Sequence, residues 1–198
     1  MKVTRILHAK KPNRGKLAAL RKQARRLGRV RSEVWQRFGS IQGVGLSDRQ
    51  IRDAWLREGR AFPVSANAWK ETLRDAKGDI KAHLEAAKFK ARRRIWRHTQ
   101  DAGERKRLFT ALKSNDWTHD PYLRRVMRRD WTRGTNHTHN QIIVRADNYT
   151  TFQLGGRAWI KIPGLEKGQR ILRYPHESSP RVRLREEGRM VTGDPLVD

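Results

Sequence analysis

Residues 141–162 read QIIVRADNYTTFQLGGRAWIKI, and the assignment of this run decides the fold. Gln141 to Arg145, Thr150 to Leu154 and Ala158 to Ile162 are β-branched or aromatic, while Ala146-Asp147-Asn148 and Gly155-Gly156 between them are turn signals. Three consecutive strands are expected. Toward the N terminus, residues 2–8, KVTRILH, alternate enough for one more short strand, ended by the basic turn Lys10-Lys11-Pro12-Asn13. A β element split by a long helical block is the simplest topology that lets this first strand join the later ones.

The block between them has helical period. Leu17, Leu20, Ala24, Leu27, Val30, Val34 and Phe38 recur at spacings of three and four, with Arg21, Lys22, Arg25, Arg26 and Arg29 on the other face. Gly39 to Gly45 reads as a loop, and Ser47 as the cap of a helix turning Ile51, Ala54 and Trp55 inward. Pro63 interrupts the chain. Ser65 or Asn67 then opens a longer helix whose stripe runs Trp69, Leu73, Ile80, Leu84, Ala87, Ala91, Ile95 despite Gly78. Two shorter helices are expected at Glu104 to Leu112 and Pro121 to Trp131, with Pro121 in a first turn after Asp120.

Charge dominates the composition. With 46 Lys and Arg against 20 Asp and Glu in 198 residues, the formal net charge is +26. A basic body of this size repels itself unless polyanions surround it, and nucleic acid is the obvious polyanion. Bases spread over every segment do not form the one-sided amphipathic helix that membrane surfaces select. No run approaches the roughly 20 apolar residues of a membrane helix, and the start MKVTRILHAKK lacks a signal peptide's apolar stretch. A cytoplasmic protein is expected, and Asn136-His137-Thr138 and Asn148-Tyr149-Thr150 are then chance matches to the glycosylation pattern. The absence of cysteine excludes disulfides, thiolate metal sites and the zinc deaminase pattern.

The basic runs Arg92-Arg93-Arg94, Arg124-Arg125 and Arg128-Arg129 lie beside Trp96, Tyr122 and Trp131. Positive charge neutralises phosphate, and flat side chains stack on unpaired bases; the bland alternative is solvated helix faces over core tryptophans. His137 and His139, one residue apart, have the spacing of a metal pair in single-strand nickases that add a nucleophilic tyrosine, for which Tyr149 is the candidate. Thr138 between them lies in a polar run, which favours a loop over a catalytic strand. Gly43-Val44-Gly45 and Gly155-Gly156 lack the Lys-Ser or Lys-Thr of a phosphate-cradling loop. Acidic residues stand commonly three or four positions from arginine, so surface pairing is their expected role. No cofactor and no metal site is expected.

The segment VSANAWKETLR, Val64 to Arg74, followed by Ala91-Arg92-Arg93-Arg94, resembles the helical region of TnpB proteins, the RNA-guided nucleases of insertion sequences; compact type V CRISPR effectors share the layout. Gln141 to Ile171, with Ile142-Ile143-Val144, Gly155-Gly156-Arg157, Trp159-Ile160-Lys161-Ile162-Pro163 and Lys167-Gly168, looks like the wedge β-barrel preceding their nuclease domain. The resemblance implies an α+β fold, a helical recognition lobe inserted into a wedge-like, OB-like β-barrel. Residues 1–15 would be the first wedge strand and basic turn, 16–135 the lobe, 136–171 the barrel strands, and 172–198 an irregular or truncated tail. Within that tail, Arg181 to Leu184 and Met190-Val191 could pair across Glu187-Gly188.

In that family such parts hold a guide or scaffold RNA and probe target DNA, while base pairing reads the sequence. The resemblance therefore assigns RNA contact to Lys10, Lys11, Arg14, Arg92, Arg93, Arg94, Arg97, Arg124, Arg125 and Arg128, and DNA contact to Asn67, Lys70 and Arg74. The family's RuvC carboxylates and zinc ribbon are not in this sequence, so binding without cleavage is expected, with a separate nuclease-bearing chain as a possible partner. A stand-alone basic RNA-binding protein is the alternative, and a nickase built on His137, His139 and Tyr149 the enzymatic one.

Overall fold

In a computed structural model the chain is built mainly of helix. Described are residues 13–132, 134–145 and 148–162, together with the backbone of three further strands between 171 and 192. Five α-helices are present among them: α1 (Arg14–Phe38), α2 (Asp48–Arg57), α3 (Ala66–His98), α4 (Ala102–Ser114) and α5 (Pro121–Asp130). The strands are β1 (Thr150–Leu154), β2 (Arg157–Lys161), β3 (Ile171–Tyr174), β4 (Arg183–Glu186) and β5 (Arg189–Thr192). Two compact units share the chain. One takes its described residues from up to Leu27, Pro63–Glu71 and Asn140 onward, the other from Gly28–Phe62 and Thr72–His139.

The helix boundaries follow local chemistry. Ser47 Oγ accepts from the Gln50 backbone N–H at 3.2 Å while the Gln50 side chain accepts from the Ser47 N–H at 2.8 Å, a reciprocal capping box that starts α2. Asp101 and Asp120 cap α4 and α5 by accepting from the residue three positions on, and Pro121 occupies the first turn of α5. Asn115, left-handed at φ 71°, ends α4.

In the second unit the apolar stripes meet in one core. Val34 of α1, Trp55 of α2, Leu73 and Ile95 of α3, Leu108 of α4 and Leu123 of α5 are all buried. Removing such side chains from water supplies about 1.5–3 kcal/mol apiece, which is what holds helices of otherwise polar composition together. Arg31 of α1 is buried too, and donates through separate nitrogens to Asp75 and Asp79 on successive turns of α3. Arg37 makes a forked pair with Glu58 at 3.0 Å for both bonds, which holds its guanidinium above its ordinary pKa and the carboxyl below its own. Gly28 permits a close approach within this unit, since a Cβ there would meet the His139 carbonyl oxygen at 3.1 Å.

In the first unit β1, β2 and β3 form an antiparallel sheet in that order. Leu154 pairs with Arg157 around Gly155-Gly156, whose φ of 59° and 67° make the two-residue hairpin expected from the sequence. β4 and β5 pair separately as an antiparallel ribbon inside the tail expected to be irregular.

The expected wedge-like β-barrel is not present: the fold is mostly helical, with small open antiparallel sheets and no closed barrel among the described residues. The physical reason lies in β1, where Thr150, Thr151, Gln153 and Leu154 are exposed and only Phe152 is half-buried. A barrel needs one face of each strand filling an interior. Gln141 to Arg145, expected as a strand, has no strand partner and runs irregularly instead; its Ile142, Ile143 and Val144 line a cavity of about 220 Å³ with Gln23 and the first turn of α3. The expected strand at residues 2–8, the Lys10-Lys11 turn and Lys167-Gly168 lie outside the described residues. No helix among the described residues is long and apolar enough to cross a membrane.

Candidate nucleic-acid interface

The second unit gathers the basic runs of α3 and α5. Asp130 at the end of α5 accepts two hydrogen bonds from Arg94, Nε at 2.7 Å and Nη2 at 2.8 Å, and the Asp130 side chain is only 6% exposed. Arg94 is the main reason that the Asp130 carboxyl sits below its ordinary pKa, and Lys90 and Arg129 act on it in the same direction. Arg94 is raised correspondingly by Asp130. At the other end of the pair, His98 stacks on Tyr122 with ring centroids 3.7 Å apart and planes 12° from parallel. The contacts run 94 to 130 and 98 to 122, so the end of α3 and α5 lie antiparallel.

Helical phase then sorts the cations. On α5, Leu123, Val126 and Met127 are buried, while Arg125 and Arg129 follow Tyr122 at spacings of three and four on the flank toward α3. On α3, Ala87, Ala91 and Ile95 are buried, and turning about 100° per residue places Lys90, Arg97, Arg93, Phe89 and Trp96 successively around the exposed arc. Lys90 and Arg129 therefore border the Arg94–Asp130 pair, with Arg97 and Arg125 further along the same exposed side of their helices. The result is an exposed basic face with one internal carboxylate. It suits a polyanion of extended backbone better than a small anion needing enclosure.

The residues picked out in the sequence divide by surroundings. Arg92, Arg93 and Arg97 of α3 and Arg124, Arg125 and Arg128 of α5 are exposed. Arg94 is engaged by Asp130 and acts as a clasp between helices, with its positive charge largely compensated. Arg14 is exposed at the start of α1, and Lys10 and Lys11 lie outside the described residues. Asn67 and Lys70 belong to the first unit, where the Asn67 amide donates to Asn148 Oδ1 at 3.1 Å and the Lys70 ammonium lies 6.0 Å from the Trp69 ring. Arg74 belongs to the second, lining a cleft of about 560 Å³ with Lys77, Lys81 and the Gly43–Ser47 loop. Lys77 donates to the Gly43 carbonyl at 3.2 Å, and burial lowers its pKa against the pull of Asp48.

The aromatics divide likewise. Trp131 is buried edge-on against Trp117, with centroids 6.1 Å apart, so it offers no stacking face. Trp96 is 56% exposed. Arg129 was read within a basic run but given no RNA contact, and Lys90 and Phe89 were not singled out, although helical phase contained the signal: Phe89 is out of step with the stripe Leu84, Ala87, Ala91, Ile95. His137 and His139 lie in the second unit in an irregular segment organised by buried Asn136, whose amide donates to the Gly28 carbonyl at 3.2 Å and to Ser32 Oγ at 3.1 Å. Tyr149 belongs to the first unit. Among the described residues no group of three His, Cys, Asp or Glu is arranged to hold a metal ion. Comparisons with protein-family models, with curated proteins and with solved structures find no match.

Proposed function

We propose that the chain is an RNA-binding protein that holds the phosphate backbone on the α3–α5 face, with Lys90, Arg93, Arg97, Arg125 and Arg129 as the contact set and Arg94–Asp130 as the clasp that positions it. The observation that carries this reading is the convergence of two separate arginine runs, distant in sequence, on one exposed border. The net charge of +26 supports it, because so large an excess of one sign is tolerated best against a polyanion. The reading assigns binding and no reaction. An effector that grips guide RNA and target DNA through a wedge barrel requires strands that do not close here, so only the backbone-binding part of that expectation is carried forward.

Salt dependence tests it. Five cations on single-stranded RNA should give a slope of log affinity against log salt of about −3.5. Reversing Arg125 and Arg129 to Glu should flatten the slope by at least about 1.4, since two of the neutralised phosphates are lost. A nearly flat slope for the unaltered chain, or an unchanged one for the double reversal, would reject the assignment.

A further inference from the structure

We infer that the exposed strip Phe89, Arg93, Trp96, with the slot between Trp96 and α4, is a stacking site for unpaired nucleobases, so that the chain selects single-stranded over duplex nucleic acid. This rests on the nucleic-acid reading above and adds to it the strandedness of the ligand.

Phe89 and Trp96 are 57% and 56% exposed, unlike most of the chain's large aromatics. Seven residues apart on α3, they share one face at about 10.5 Å along the helix axis. Arg93 lies between them on that face, its guanidinium 5.2 Å from the Phe89 ring centroid. The strip thus alternates flat apolar surface with positive charge, the pattern required by a strand whose bases and phosphates alternate.

Trp96 is held in place to serve as a platform. Arg105 covers one face of its indole at 3.9 Å, and Phe109 props it at 5.9 Å between centroids and 56° between planes. Arg105 is itself anchored, donating to the Thr99 carbonyl at 2.6 Å and to the Gln100 side chain at 3.3 Å. With one face taken by Arg105, the large remaining exposure must come from the other face and the edges. A preset ring loses little freedom when a base lands on it.

The slot beside it is a shallow, open depression of about 470 Å³, suited to a base laid on the indole rather than one enclosed. Lys106 and Lys113 of α4 line it one turn either side of Phe109. A base laid on the open face and edge of Trp96 would find Lys106 and Lys113, at the rim of this depression, for its flanking phosphates. A duplex hides its base faces and could use only the cations. An acidic peptide could also use the lysines, but it has no flat group to match the indole.

The test compares affinities of the full chain for an unstructured polypyrimidine RNA and for a duplex of equal length at one salt concentration. Trp96→Ala is expected to weaken single-strand binding roughly five- to a hundredfold, the worth of a stacked base. Duplex binding should stay within about twofold on the same argument, and Trp96→Phe should restore most of the loss. If Trp96→Ala fails to fold, Phe89→Ala at its open surface position carries the same comparison. Equal weakening of both polymers, or of neither, overturns the inference while leaving the backbone reading intact. In the salt titration above, salt-independent binding by the unaltered chain overturns the backbone reading itself. Polyglutamate binding that competes with RNA and falls with Trp96→Ala would give the strip to an acidic protein and overturn the inference as well.

Discussion

Arg31 shows how a single residue fixes this architecture. It is buried against α3 with a guanidinium shared between Asp75 and Asp79, on successive turns of the same helix. Replacing it with Ala would leave two carboxylates facing each other across a cavity, and loss of one member of such a buried pair costs about 3–5 kcal/mol. Asp79 keeps about half of its exposure to water and can be resolvated, so the lower end, about 3 kcal/mol, is expected from urea titration. A loss below about 0.5 kcal/mol, the size of an ordinary surface substitution, would mean that the pair does not form. This contact was illegible in the sequence. Spacing suggested arginine partners three or four positions away for many of the acids, but Asp75 and Asp79 have none at those positions and take their partner from α1, forty-four and forty-eight residues earlier.

Between elements, the junction of α3 with α5 carries a pH dependence. Arg94 holds the Asp130 carboxyl below its ordinary value of 3.8. A carboxyl with a depressed folded pKa contributes stability above its unfolded pKa and loses it as pH falls through the folded value. Asp130→Asn should therefore be less stable than the parent at neutral pH, with the two urea midpoints converging below about pH 4. Asp120 titrates in the same direction: burial opposes the shift, but the Leu123 N–H and Arg107 outweigh it. Measuring Asp130→Asn in parallel with Asp120→Asn separates them, and a pH-independent gap for Asp130→Asn would contradict the clasp. Element boundaries were largely readable, because caps and turns are local: Ser47, Asp120, Pro121 and Gly155-Gly156 each signalled their position. Closure of strands was not, because alternation within Thr150–Leu154 says nothing about whether a partner covers its face. Ile142-Ile143-Val144 shows the same limit, its β-branched run lying against helix rather than sheet.

For the molecule as a whole, the basic charge was legible at once and its arrangement only in part. The arginine runs were visible, but Arg94 as a clasp, Trp131 as core and Trp96 as exposed surface depend on which way each helix turns. The central claim is that nucleic acid lies on the α3–α5 face. Ultraviolet crosslinking of a single-stranded RNA to the full chain, with the attached peptides mapped by mass spectrometry, tests that claim most directly. The account predicts adducts concentrated in residues 89–97 and 121–130, reduced by the Arg125→Glu, Arg129→Glu double reversal. Adducts confined to segments outside α3 and α5, or unchanged by the reversal, would contradict it.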